Sequence, residues 1–499
     1  MSVLPPPQAL EVTRRARLSE RLAATLDAVL VMVPEDAEAA LLAALPESAR
    51  WRTLIERARP SAGSVRVSAL ANARQTRAVL GFVKRDASVF ESLALAGRMV
   101  KELPAREIAT LALVAPGPRE AARRGLEALL SAALAQARAL PSFRAHTPRR
   151  RPRLRIELIG GADLDVARTE VTSRANHLAR WLTALPPNEL DARSYRRGIA
   201  QLARAHGLRM RWLDERALRR LGANAFLAVS AGSAERTAGI AHLKYRPPRG
   251  RGRAPQLALI GKGILFDTGG TNLKPHRAML EMHTDMAGSA VALAALVALA
   301  ELKAPFGADA WLAIAENRIG PRAYVPQDVV RAANGVTIQV IHTDAEGRMV
   351  LADTLALAAR TRPRLMIDFA TLTGACVYAL TERMSGVFTN QPQLTASLLA
   401  AGRTSGERVW SFPFDADYDS DLESKVADIM QCAPDGKGDH ILATRFLSRF
   451  VPERQPWVHV DLSAAMRAGG LGHINTDVTG FGVRYVLELL LEHGVLTKT

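Results

Sequence analysis

The chain has 499 residues, enough for two or more domains with buried cores, and its 48% hydrophobic and 23% charged residues are an ordinary globular balance. With 66 basic against 49 acidic residues it carries a formal charge of +17, which keeps nucleic acid or an anionic surface open as partners; the arginines are spread along the chain, and a coding bias toward arginine and alanine explains them equally well. Two cysteines, Cys376 and Cys432, exclude a disulfide framework and a thiolate metal cluster and suit a reducing compartment.

In chain order, the first apolar stretch is "LAATLDAVLVMV". It carries Asp27 and lacks a cleavage pattern, so no signal peptide is expected. Residues 29–33 and "IATLALVA" predict short strands, and "REAARRGLEALLSAALAQARAL" predicts a helix. The alternation predicts a smaller α/β domain over residues 1–165, ending in a basic loop, "PSFRAHTPRRRPRLR", and a last strand, "LRIELIG". A larger α/β domain over residues 166–499 opens with a helix in "DVARTEVTSRANHLARWLTALPPNELD", which stops at Pro186 and Pro187. Beyond it, "LALIGKGILFD", "DAWLAIAEN", "TIQVIHTD" and "LMIDFATLTG" are short apolar runs ending in polar residues or glycine, as buried strands of a mostly parallel mixed sheet do. "MAGSAVALAALVALAEL" reads as a helix among them. Its apolar run is too short to span a bilayer, and a soluble cytoplasmic protein is expected.

Ligands gather at the carboxyl ends of strands in such sheets, and three of these runs end at Asp267, Asp344 and Thr371. The segment "HTDAEGR" crowds Asp344, Glu346 and Arg348 together. The segment "GKGILFDTGGTNLKPHRAMLEMHTDM" adds Lys262, Asp267, Lys274 and Asp285. Each has an ordinary explanation when taken singly: a solvated turn for Asp344 and Glu346, an N-cap for Asp285, a surface cation for each lysine. Four carboxylates in one place would instead repel one another unless cations compensate. Two divalent ions about 3.5–4 Å apart, bridged by shared carboxylates, supply that compensation. Oxygen-rich ligation suits zinc, manganese, magnesium or cobalt.

"GKGILFDTGG", the lysine and methionine that follow it, and "TDAEGR" together resemble the leucyl aminopeptidase family, the cytosolic di-metal exopeptidases. "ALPPNELD", "AENRIG", "ATLTGA" and "TGFGVRYVLELL" extend the likeness from about Arg174 to the C-terminus. The first domain resembles the family's variable, macro-like amino-terminal domain only in its α/β pattern. The resemblance implies a metallo-aminopeptidase that releases apolar N-terminal residues from peptides, by attack of a metal-bridged water on the scissile carbonyl. It implies that Asp267 and Glu346 bridge two ions, that Asp344 completes one site, and that Lys262, as a neutral amine, and Asp285 complete the other. Lys274 would stay protonated, contact substrate and stabilise the oxyanion. Arg348 would hold a bicarbonate ion acting as general base. Met282, Thr371, Gly374 and Met466 would line the pocket for the first side chain, and Leu372 would touch substrate through its backbone. The resemblance also implies a homo-hexamer, a dimer of trimers.

This chain departs from the family's wording in four places. His342 stands where asparagine is usual, His276 and Arg277 replace glycines, His283 replaces a lysine, and "MQCAPDGKGDHILATRFL" replaces a glycine-rich loop. These loops bear on substrate range, and His342 and His276 are expected in supporting rather than ligating roles. Two alternatives compete with the enzyme. One is nucleic-acid binding through "PRRRPRLR" and "YRPPRGRGR", which lack interleaved aromatics. The other is an inactive scaffold, disfavoured because every ligand and catalytic position is intact.

Overall fold

In a computed structural model, which describes residues 3–8, 10–56, 61–104, 108–145, 153–161, 163–247 and 255–498, the predicted strands pair into two separate α/β sheets. The first sheet has six strands. Leu10–Arg15, Leu154–Ile159, Thr110–Val114, Ala28–Pro34 and Arg77–Val83 run parallel in that spatial order, and Val65–Ala69 closes the edge antiparallel. Ala28–Pro34 is buried along almost its whole length, as a central strand with both faces covered must be. Helices Val89–Lys101 and Arg119–Ala137 cover one face, and helix Ser48–Glu56, with Trp51 fully buried, covers the other.

The second sheet has eight strands and is mixed. Leu257–Asp267 lies at its centre, parallel to Ala308–Asn317 on one side and to Leu365–Ala370 on the other. Trp457–Asp461 adds a further parallel strand, while Ser385–Thr389, Gly239–Tyr245 and Arg209–Asp214 bring antiparallel pairings toward the edges. Strand alternation sorts the central side chains to two faces. Leu257 and Leu259 meet helices Val166–Thr183, Ala287–Glu301 and Val483–Leu491; Ala258 and Ile260 meet helix Glu346–Ala359. Within the helical run His276–Glu301, an 18-residue stretch of mean hydropathy 1.4 is 89% buried in this stack, and the alanines and leucines of Ala287–Glu301 pack on all sides. The units meet through side chains from both: Arg484 pairs with Glu127, and Asn475 donates to the Gly97 carbonyl at 3.0 Å.

Two predicted elements differ. "TIQVIHTD" is not a strand of the main sheet. Only Thr337–Gln339 is extended, in a small sheet between Val329–Arg331 and Ile429–Met430. Ile338 and Val340 are buried because they pack beneath the main sheet's helix layer, and periodicity alone could not tell that burial from membership of the sheet. The helix predicted to stop at Pro186 ends at Thr183, three residues earlier, with Ala184 as its C-cap; proline disfavours helical backbone in the residue before it.

Candidate metal centre

The central strands end together. Their register sets Asn317 beside Asp267, and Thr371 follows the neighbouring strand. Two helices on opposite faces of the sheet begin at the same edge. Asp285 sits just ahead of Ala287–Glu301, and Glu346 is the first residue of Glu346–Ala359. Helix amino termini favour nearby negative charge, so both acids occupy an electrostatically fitting position. The glycines around Lys262 have a steric purpose. A Cβ on Gly261 would come within 2.5 Å of Gly288 O and Ser289 Cα, so only glycine lets the first turn of that helix press onto the strand and bring Asp285 over Lys262. Gly269, at φ +86°, turns the chain back after Asp267, a conformation that side-chain-bearing residues avoid.

Six charged side chains converge there in one network. The buried Lys262 ammonium lies 2.8 Å from Asp285 Oδ1, 2.9 Å from Glu346 Oε1 and 2.8 Å from the Thr371 carbonyl. Thr371 Oγ1 donates to Asp285 Oδ1 at 2.7 Å. Lys274 Nζ lies 2.9 Å from Asp267 Oδ2 and also pairs with Asp344. Asp267, Asp344 and Glu346 each offer an oxygen, all within 4.8 Å of one another. Four carboxylates face two ammonium groups, which leaves two negative charges uncompensated in a largely buried place. Asp285 Oδ2 is buried with no partner among the described residues. Excess negative charge, clustered oxygens and an orphaned acceptor fit divalent cations.

The titration behaviour shows the same frustration. Burial, reinforced by Asp267 and Glu346, pushes Asp344 up to about 7. Asp285 rises too, chiefly through burial, against the pull of Lys262. Burial pulls Lys262 and Lys274 down, but the surrounding carboxylates outweigh it and both amines end above their ordinary range. In the metal-free protein both lysines are therefore cations; a metal taking Lys262 as ligand must displace its proton.

Arg348 lies in the first turn of the helix, its side chain 2% exposed, and it does not join the lysine network. Its Nη2 donates to both oxygens of Asp439, at 2.8 and 2.7 Å, and its Nη1 to the Gln431 carbonyl at 3.2 Å. Among the residues expected to line a side-chain pocket, Thr371 is tied to the acid network. Met282 opens the short turn before Asp285, Gly374 begins a helix, and Met466 makes an isolated bridge with Val478. The Leu372 amide donates to Asp461 at 3.1 Å. His342 Nδ1 accepts from the Asp344 amide at 3.2 Å, a supporting contact, while His276 is exposed at the start of a short helix.

Sequence reading missed three supports. Asn317 Nδ2 donates to Asp267 Oδ1 at 2.8 Å and to the Thr343 carbonyl at 2.9 Å. The Tyr324 hydroxyl reaches the same carbonyl at 2.8 Å. Asp461 pins Thr373 through a 2.7 Å hydroxyl bond. Asn317 ends its apolar run as Asp267 ends the neighbouring one, so the strand-end rule that found the aspartate contained the signal. Of the basic stretches, residues 148–152 and 248–253 lie outside the described residues. Arg153, Arg155 and Arg246 pair with Glu11, Glu157 and Asp309.

Residues 177–487 match the family described as "Cytosol aminopeptidase family, catalytic domain". A probable cytosol aminopeptidase of Syntrophotalea carbinolica is 42% identical over 322 residues, 63% of this chain and 62% of that protein. One of Synechococcus sp. (strain CC9605) is 39% identical over 340 residues, 67% of this chain and 68% of that protein. The alignment thus spans just under two thirds of the first relative's length and slightly more of the second's. Among solved structures, the bottromycin maturation enzyme BotP in complex with Mn superposes with a TM-score of 0.82 at 30% identity, covering 95% of this chain and all of that one. Leucyl aminopeptidase from Leishmania major in complex with actinonin shares the fold, with a TM-score of 0.83 at 23% identity over 97% of this chain and 95% of that one.

Proposed function

The chain belongs to the cytosol aminopeptidase family, whose members are metal-dependent exopeptidases, and from that premise we propose that it releases N-terminal, preferentially apolar, amino acids from peptides. The observation that carries this reading is the convergence of Lys262, Asp267, Lys274, Asp285, Asp344 and Glu346 at one sheet edge inside the matched region, with negative charge in excess. Asp267 and Glu346 would be shared between two divalent ions, zinc or manganese, with magnesium and cobalt the other candidates. Asp344 would complete one site, Lys262 and Asp285 the other. Bound there, the ions supply Lewis acidity and lower the pKa of water.

The chain's own groups do the rest. Lys274, a cation with its Nζ at the Asp267–Asp344 edge, would meet negative charge developing on the carbonyl oxygen. Asn317 and Tyr324 hold the Asp267 carboxylate and the Thr343 carbonyl in place, so orientation is set before substrate arrives. Arg348 is the seat for a carboxylate-type anion; the resemblance puts bicarbonate there, and the structure puts Asp439 on its Nη2. Leu372 donates its amide to Asp461 and would touch substrate through its backbone. Met282, Thr371, Gly374 and Met466 would receive the first side chain. Division at 165/166, a cytoplasmic location and a hexameric assembly belong to the same reading.

The test is hydrolysis of leucyl-, methionyl- and aspartyl-anilides and of N-acetyl-leucyl-anilide by protein stripped of metal and reloaded with Mn²⁺ or Zn²⁺. Cleavage of the free-amine apolar substrates, little of the aspartyl one and none of the acetylated one is expected, with about two metals bound per chain. No hydrolysis at full metal occupancy would overturn the activity, and an acidic best substrate would overturn the pocket.

A further inference from the structure

The Arg348 guanidinium is fully enclosed in protein, and the anion it faces comes from the chain itself. Asp439 Oδ1 and Oδ2 both accept from Nη2. Gln431 takes Nη1 through its carbonyl, and Nε–H meets no acceptor among the described residues. Asp439 is the first residue of helix Asp439–Ser448, behind Gly438 at φ +59°, in the stretch "DGKGDH". Its side chain is 25% exposed, so it bridges an enclosed cation and solvent. Arg348 in turn lies two residues from Glu346 and feels its charge.

Peptide hydrolysis needs a proton acceptor beside the attacking water. The four clustered carboxylates are committed to the lysines and, on the reading above, to metals. Asp439 is engaged by neither site lysine, and it pairs with Arg348, two residues along the helix from Glu346. We propose that Asp439 is a built-in anion on Arg348, in the place where a dissociable carbonate would otherwise be needed, so that turnover is independent of bicarbonate. In the step this implies, water loses a proton to the Asp439 carboxylate as its oxygen bonds to the carbonyl carbon. The proton then passes to the amide nitrogen as the C–N bond breaks, and Asp439 is ionised again when the amine leaves. The proposal rests on the aminopeptidase reading for its chemistry but not for its anion seat.

Two variants separate seat from scaffold. Asp439→Gly opens the face of Arg348, and Asp439→Asn covers it without charge. With Mn²⁺-loaded protein in bicarbonate-free buffer, both should lose about 10²-fold or more in kcat with little change in KM. Added bicarbonate should restore the glycine variant and leave the asparagine variant and the unaltered protein unchanged. A second readout needs no activity: bicarbonate should raise the melting temperature of metal-free Asp439→Gly and not that of the unaltered metal-free protein. Stimulation of the unaltered protein by bicarbonate, or a glycine variant with full kcat in its absence, would overturn the proposal. Absence of hydrolysis from every form would count against the aminopeptidase reading alone, and the melting measurements would still decide whether Asp439 fills the seat.

Discussion

Lys262 Nζ lies 2.9 Å from Glu346 Oε1 at the meeting of the central strand and the helix beneath it. Lys274, from the loop beyond that strand, engages the other pair, Asp267 and Asp344. The two lysines divide the acid cluster between them, and the proposed function gives them opposite duties. Lys262→Ala should bind about one metal per chain instead of two. Lys274→Ala should keep both and lose kcat by about 10²–10³-fold, as removal of a single oxyanion donor does. Metal analysis and kcat measured side by side decide this; the reverse pattern would exchange the roles.

Gly347 gives a test in which function and stability part company. A Cβ there would lie 2.6 Å from Lys262 Cε and Nζ. The obstructed atoms are the end of a flexible side chain, and alanine is the better helix former by about 1 kcal/mol. Gly347→Ala should therefore melt at or above the temperature of the unaltered protein, yet bind the second metal poorly and lose at least about tenfold in activity. Gly288→Ala is the contrast: its Cβ would meet the Phe369 carbonyl at 2.1 Å, backbone against backbone, and should destabilise the fold itself. A Gly347→Ala protein with normal metal content would remove the steric link to Lys262.

Asn317 supports rather than binds. Asn317→Ala leaves Asp267 Oδ1 with only the Gly269 amide and frees the Thr343 carbonyl from one of its two donors. Apparent metal affinity should fall about 10–100-fold, and activity should return at high metal concentration. Titration calorimetry with Mn²⁺ reads this directly, and an unchanged affinity would argue that the carboxylate orients itself.

Asp353 links pH to stability away from the acid cluster. It is fully buried, with Phe226 N donating to one oxygen at 2.8 Å and Ala333 N to the other at 2.7 Å. Burial nonetheless lifts it to about 7, above the 3.8 of a free aspartate. A raised carboxyl pKa means the folded state holds the proton more tightly than the unfolded one. Its contribution to stability is complete below about pH 4 and is lost as pH rises toward 7, by an amount of order a few kcal/mol. Denaturant melts of the unaltered protein and Asp353→Ala between pH 4.5 and 8 should show the gap between them narrowing as pH rises. A gap that widens would mean the two amide bonds outweigh desolvation.

The sequence by itself carried the family and marked the candidate site residues. Strand-end logic placed Asp267 and Thr371 at the sheet's carboxyl edge, local spacing gave Asp344, Glu346 and Arg348, and the motif set carried the family. These signals are legible because each lies within one turn or one strand, where backbone geometry fixes which neighbours can meet. Where a partner lies far along the chain, no period encodes it. Asp439 reaches Arg348 across 91 residues, Asp353 caps Phe226 across 127, and "TIQVIHTD" owes its burial to a helix layer rather than to the sheet it was expected to join. Only the tertiary structure decided which carboxylate faces which cation. Those pairings follow from how two helices and a loop are packed against the sheet edge, and a buried charge takes whichever opposite charge packing brings within reach.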